Sequence, residues 1–211
     1  AQTEFAMQKI GLFGGTFYPI HNGHLHIARA FADELSLESV IFLPAGDPYH
    51  KQSPRTAAHH RLAMTELAVR NDQRFAVSDC DIIREGATYT FDTVQIFRQL
   101  FPQAQLYWLL GMDSLLQLHT WSRWQQLVKQ IHIAVAVREG DSLNSAAHEL
   151  QGWIGQALQE GSLHLLQALP HTASSTEIRE KVRRGEDISK LTDPAVAEYI
   201  AQHHLYRGTS G

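Results

Sequence analysis

The first 43 residues restrict what this chain can fold into more than any other stretch. Met7 to Phe13 is a short apolar run, and Leu25, Ala28, Phe31, Ala32 and Leu35 recur at helical spacing. Ser39 to Leu43 is a second apolar run, closed by Pro44. Strand, turn, helix and strand in that order imply a right-handed crossover and a parallel sheet. The turn reads Gly14-Gly15-Thr16-Phe17-Tyr18-Pro19-Ile20-His21-Asn22-Gly23-His24. A glycine-rich turn from strand to helix gathers backbone N–H groups and the positive end of the helix dipole at one point, which is how proteins seat phosphate. Two adjacent glycines let that backbone approach a bulky ligand. Neither a Gly-Lys-Ser/Thr ending nor a G-x-G-x-x-G fingerprint is present. His21 and His24 stand there instead, able to donate to phosphate oxygens and to offset charge that develops on them. A metal pair is the competing reading, but zinc wants further ligands at recognisable spacing. The chain has one cysteine, Cys80, and no H-E-x-x-H, so no metal site is expected.

The later segments repeat the alternation. A helix is expected from Ala57 to Val69, with Arg61 early in it and His59 and His60 at the surface; a strand follows from Phe75 to Asp79. Thr90 is expected to cap a helix that Pro102 stops. Gln105 to Leu110 is apolar throughout, as a buried parallel strand should be. Beyond it come a short helix carrying Trp124, a strand from Ile131 to Val137, a helix within 141–161, and a strand from Leu163 to Leu169. Ser174 and Glu177 form a capping box at a further helix start, and Asp193-Pro194 opens the last helix, which frays at His203-His204. The fold expected is α/β and Rossmann-like: a mainly parallel sheet with helices on both faces and a small helical C-terminal part. At 211 residues and 44% hydrophobic, one domain over residues 7–207 is expected, with 1–6 and 208–211 as remnants of expression. A net charge of −4 gives no basic field for nucleic acid. No apolar stretch has the length of a membrane span and no leader is recognisable, so a cytoplasmic chain with no membrane partner is expected. Its oligomeric state is left open.

Three motifs, in order, carry a resemblance. G-G-T-F-x-P-x-H-x-G-H is similar to the signature of the nucleotidyltransferase superfamily related to class I aminoacyl-tRNA synthetases. Gly111-Met112-Asp113-Ser114-Leu115, running on to Thr120-Trp121, resembles that group's G-x-D-S-L…T-W. Ser174-Ser175-Thr176-Glu177-Ile178-Arg179 resembles its S-S-T-x-I-R. Within the superfamily the chain most resembles the bacterial nicotinate-nucleotide adenylyltransferases. That resemblance implies adenylyl transfer from ATP to nicotinate mononucleotide, with Mg²⁺ accompanying ATP. It implies His21, His24 and Arg179 as catalytic residues. It implies ATP contacts from Gly14, Gly15, Thr16, Phe17, Lys51, Gly111, Asp113, Ser175 and Thr176, and nicotinate-nucleotide contacts from Thr88, Tyr89 and Trp121. The residues themselves also allow Lys51 as a solvated loop lysine and Trp121 as a core residue. Position 18 is usually Asp in the family and is Tyr18 here, and Arg138-Glu139-Gly140 stands for the usual Arg-Pro-Gly. The alternatives are pantetheine-phosphate adenylyltransferase, whose signature usually has Thr at position 21, and a non-catalytic nucleotide-sensing domain.

Overall fold

Six apolar runs become six strands in the computed structural model, which describes residues 7–47, 56–84, 89–167 and 173–208. In chain order the elements are β1 (Lys9–Gly15), α1 (Asn22–Leu35), β2 (Ser39–Pro44), α2 (Ala58–Val69), β3 (Phe75–Val77), α3 (Cys80–Ile83), α4 (Thr90–Leu100), β4 (Gln105–Gly111) and α5 (Met112–Leu116). A 3₁₀ turn (Leu118–Thr120) follows, then α6 (Trp124–Leu127), β5 (His132–Ala136), α7 (His148–Glu160), β6 (Leu163–Leu166), α8 (Ser175–Arg183) and α9 (Pro194–Gln202). The sheet order is β3-β2-β1-β4-β5-β6, so the chain starts in the middle and winds outward twice. Strand β4 pairs in parallel with β1 and with β5, in registers that set Leu12 beside Trp108 and Leu109 beside Ala134. The Rossmann-like, mainly parallel sheet expected from the sequence is therefore present.

The described residues cluster into two compact units. Residues 7–13, 30–40 and 89–167 form one, and 14–29, 41–47, 56–84 and 173–208 the other. The first has its core in Leu106 to Leu110 of β4 and Ile133 to Val135 of β5. Val94 and Phe97 of α4, and Leu150, Ile154 and Ala157 of α7, are buried with them. The second holds the glycine-rich turn. Two of its helix starts, those of α8 and α9, are capped as the sequence predicts: Ser174 Oγ accepts from the Glu177 amide at 3.1 Å, and Asp193 Oδ1 from the Ala195 amide at 2.8 Å.

Several expectations need correction. Thr90 is the first residue inside α4 and not its cap; Tyr89 takes the cap position without a side-chain bond, because helical geometry begins one residue early. The strand from Phe75 ends at Val77, and the unforeseen α3 follows it. His60 is not a surface residue. It faces α9, where its Nδ1 lies 2.7 Å from the Tyr199 hydroxyl and its ring 5.2 Å from that of His203. Trp124, which reads as a core residue in the sequence, is half-buried and edge-on to Trp153 at 6.4 Å. The helix within 141–161 begins only at His148. Among the described residues, no helix is long and apolar enough to cross a membrane.

Candidate active site

Strand β1 ends at Gly15, whose carbonyl accepts from the Ala45 amide at 2.9 Å. The chain then turns through Phe17, a non-glycine residue at φ 50°, and the Tyr18–Pro19 peptide is cis. Phe17 buries its ring beneath His24, edge-on at 5.1 Å and 85°, and 5.8 Å from Phe42. Although expected among the ATP contacts, Phe17 thus directs its side chain into the core, leaving its main chain for a ligand. The turn is braced from both sides of its own unit. Arg61 of α2, with no exposed side chain, donates from Nη1 to the Thr16 carbonyl (2.8 Å) and from Nε to the Thr56 carbonyl (2.9 Å). Its Nη2 donates to Asp47 Oδ1 (3.1 Å). From the C-terminal part, Ser175 Oγ donates to the Pro19 carbonyl and Thr192 Oγ1 to the Ile20 carbonyl, each at 2.9 Å. The Asn22 amide donates to the Leu191 carbonyl at 2.9 Å.

The two imidazoles lie at the start of α1 with ring centroids 3.8 Å apart. The Gly23 amide donates to His21 Nδ1 at 3.0 Å, and the His21 amide to His24 Nδ1 at 3.1 Å. An Nδ1 that accepts must hold its lone pair, so each neutral ring carries its proton on Nε2. Burial, and next the neighbouring His21, push the His24 pKa down to about 3. At neutral pH His24 is therefore an uncharged N–H donor. An uncharged ring so held offers its N–H as a dipole fixed in direction.

Gly23 has a geometric task that the sequence does not announce. A Cβ there would meet His21 Cε1 at 2.8 Å and Nδ1 at 3.0 Å, with the Ala173 carbonyl 3.5 Å away. Gly23→Ala must push the His21 ring aside, and misplaced groups lose rate steeply. We expect kcat to fall about 10- to 100-fold at a melting temperature within a few degrees of wild type, measured by steady-state kinetics and calorimetry. An unchanged kcat would mean that the ring's position is immaterial.

Facing this turn, α8 presents its capped start. Arg179 donates from Nη1 to the Tyr18 carbonyl at 2.5 Å and from Nη2 to Thr176 Oγ1 at 3.3 Å. So Gly14 to Phe17, His21, His24, Ser175, Thr176 and Arg179 are brought together in one unit. The first amides of α1 are engaged within the protein, by the Leu191 carbonyl, His21 Nδ1 and the His21 carbonyl, so the anion-seating helix start expected there is corrected to the imidazoles that stand at it. Gly111, Asp113, Tyr89 and Trp121 belong to the other unit. There Gly111 ends β4, and a Cβ on it would meet nothing within 4 Å, so no packing demands a glycine. Asp113 is exposed two residues on, Trp121 is half-buried at the end of the 3₁₀ turn, and Tyr89 is 48% exposed. Trp121 is thus not a core residue. Lys51 and Thr88 lie outside the described residues.

A family model described as cytidylyltransferase-like matches residues 12–181. The protein named "probable nicotinate-nucleotide adenylyltransferase" in Neisseria meningitidis serogroup B is 62% identical over 200 residues, which cover 95% of this chain and 99% of that one. This chain belongs to the nicotinate-nucleotide adenylyltransferase family. A member of that name in Bordetella petrii is 42% identical over 95% of this chain and all of its own. Among solved structures, the Plasmodium falciparum nicotinic acid mononucleotide adenylyltransferase complexed with NaAD has a TM-score of 0.73. At 20% identity, over 94% of this chain and 97% of that one, it shares the fold. For this member of the adenylyltransferase family, the motifs mark the candidate site residues but not the contacts that brace them. The bracing contacts of Arg61 and Thr192 were not foreseen, while Tyr18 was marked as a departure and Gly23 as part of H-x-G-H without its packing task; Arg61 left a trace as an arginine on the buried side of a helix next to Met64 and Thr65.

Proposed function

We propose that the chain transfers the adenylyl group of ATP to nicotinate mononucleotide, giving nicotinate adenine dinucleotide and pyrophosphate, a step of NAD biosynthesis in the cytoplasm. The observation that carries the reading is the pair of Nε2–H imidazoles, oriented by their own turn at one helix start and facing a second. In the reaction, a phosphate oxygen of the mononucleotide attacks the α-phosphorus of ATP. The new O–P bond forms as the bond to the bridging oxygen breaks, and pyrophosphate leaves with that electron pair. No protein nucleophile is needed; positioning and stabilisation of the phosphoryl oxygens supply the rate.

In this reading the amides of Gly14 to Phe17 lie along the phosphates, and Nε2–H of His21 and His24 donates to oxygens that gain charge. Arg179, with Ser175 and Thr176 at the start of α8, receives the far end of the triphosphate. Mg²⁺ enters as part of the substrate. The donors around the turn are amides, imidazoles, hydroxyls and a guanidinium, which suit phosphate oxygens, and the metal keeps its waters and its bonds to ATP. Asp113 accepts from ribose hydroxyls, and Gly111, which packing does not require, lets the sugar approach. Trp121 and Tyr89 offer aromatic faces to the pyridine ring, and Lys51 and Thr88 complete the contacts.

The test is pyrophosphate release from MgATP with nicotinate mononucleotide, nicotinamide mononucleotide or phosphopantetheine as acceptor. Backbone donors that suit a carboxylate oppose the NH₂ of an amide, at about 1–3 kcal/mol per unpaired group. Nicotinate mononucleotide should lead the amide by at least about tenfold in kcat/KM. Phosphopantetheine should not react. Near-equal use of the two pyridine nucleotides would exclude reading of the carboxylate, and turnover with phosphopantetheine alone would overturn the assignment.

A further inference from the structure

Tyr18 lies in the turn between β1 and α1, and its contacts are those of a support. The Arg179 guanidinium carbon lies 4.0 Å from the centroid of the Tyr18 ring, over its face. Arg179 Nη1 also donates to the Tyr18 carbonyl at 2.5 Å, and Nη2 to Thr176 Oγ1 at 3.3 Å. Two of the guanidinium's five donors thus set its orientation, and the aromatic face sets its plane. The Tyr18 ring is held in turn, edge-on to Tyr206 at 5.6 Å and 66°. Beside this stack opens a cavity of about 530 Å³ whose lining includes Thr176, Arg179, Arg183 and Arg207. A long arginine side chain otherwise loses rotamer freedom when it grips a ligand; one already stacked and hydrogen-bonded has lost it beforehand.

We propose that Tyr18 is a positioning residue for ATP. Its ring and carbonyl hold the Arg179 guanidinium as a flat plate, so that the remaining donors face the triphosphate without rearrangement. This rests on the reading of Arg179 given above. A carboxylate at position 18 would instead hold the guanidinium by charge, competing with the phosphate for it. The ring holds it without an opposing charge.

The experiment compares KM for MgATP, KM for nicotinate mononucleotide, kcat and melting temperature across Tyr18→Leu, Tyr18→Phe, Arg179→Ala and the Tyr18→Leu/Arg179→Ala double variant. A chain with pentafluorophenylalanine at position 18, which keeps the ring's shape but reverses its quadrupole, completes the set. Tyr18→Leu should raise KM for MgATP about 5- to 30-fold, the span of a cation–π contact at tenfold per 1.4 kcal/mol, and leave KM for the mononucleotide within twofold. Tyr18→Phe should recover most of the loss, the fluorinated ring should not, and the double variant should be no worse than Arg179→Ala. If Arg179→Ala is impaired while the leucine and fluorinated variants keep wild-type KM for MgATP, the positioning role is wrong and Arg179 keeps its own. If Arg179→Ala itself is unimpaired, the reading of Arg179 falls and the proposal with it. Should Tyr18→Leu fail to fold, the fluorinated chain is judged against Tyr18→Phe, from which it differs chiefly in the charge distribution of the ring: equal KM for MgATP in the two would overturn the proposal.

Discussion

His24→Ala should lower kcat by about 10²–10³ while changing KM for ATP much less, the scale of removing one preorganised transition-state donor. The ring is held by the His21 amide on Nδ1 and by Phe17 below, so in the proposed reaction its Nε2–H is oriented before a phosphate arrives. Turnover within threefold of wild type would remove His24 from the chemistry. The same residue predicts how stability responds to pH. Its folded pKa of about 3 lies below its ordinary value of 6.5. Between those values the unfolded chain binds more protons than the native one, so stability is complete above pH 6.5 and falls as pH drops through the window. By pH 5 the loss from this ring is on the order of 2 kcal/mol. Urea melts at pH 7.5 and pH 5 should show wild type losing about that much more than His24→Ala. Burial also lowers the pKa values of His60, His132 and His164, but these act equally in both chains and cancel in the comparison. Equal losses would mean that His24 titrates normally in the folded state.

Arg61→Met should be the most damaging single change outside the histidines. It keeps much of the stem's volume but leaves the Thr16 and Thr56 carbonyls without their guanidinium donors and Asp47 without its ion pair. Breaking a buried ion pair in this way costs about 3–5 kcal/mol. Asp47 is half exposed and can recover water, so the lower end is expected. For a chain of this length that is a fall in melting temperature of roughly 6–12 °C. Activity should drop further than stability explains, because the Thr16 carbonyl belongs to the turn that carries both histidines. Calorimetry and single-turnover rates below the transition check this. A loss under 1 kcal/mol would show that the bonds of Arg61 are replaceable by water.

The candidate site residues were legible because the proposed chemistry forces unusual residue types into adjacent positions. His-x-Gly-His after a glycine pair, and a capped Ser-Ser-Thr start with an arginine one turn on, have few other uses. The strands were legible for a related reason: a parallel strand buried on both faces must be apolar throughout, as Leu106 to Leu110 is. What local pattern could not carry was partnership over distance. Arg61 reaches Thr16 across 45 positions, Ser175 reaches Pro19 across 156, and Thr192 reaches Ile20 across 172. None of these pairs leaves a local mark. The charge state of His24 was hidden likewise, since it depends on how deeply Phe17 and His21 enclose the ring. Thr90 misled because a threonine before a helix reads as a cap whether its hydroxyl sits on the last extended residue or the first helical one.

The two Nδ1 atoms are held by main-chain amides that lie inside the same four-residue span as the rings themselves. Many catalytic histidines depend on a distant carboxylate to choose their tautomer, and any drift at that remote site can undo the choice. Here the selecting groups are peptide N–H bonds, which no side-chain replacement can delete; only proline, which has no N–H, removes one. The tautomer of each ring is therefore set within the segment, whereas the course of the turn depends on Arg61, Ser175 and Thr192; a graft onto another strand-turn-helix scaffold would have to carry those three supports to keep both donors aimed.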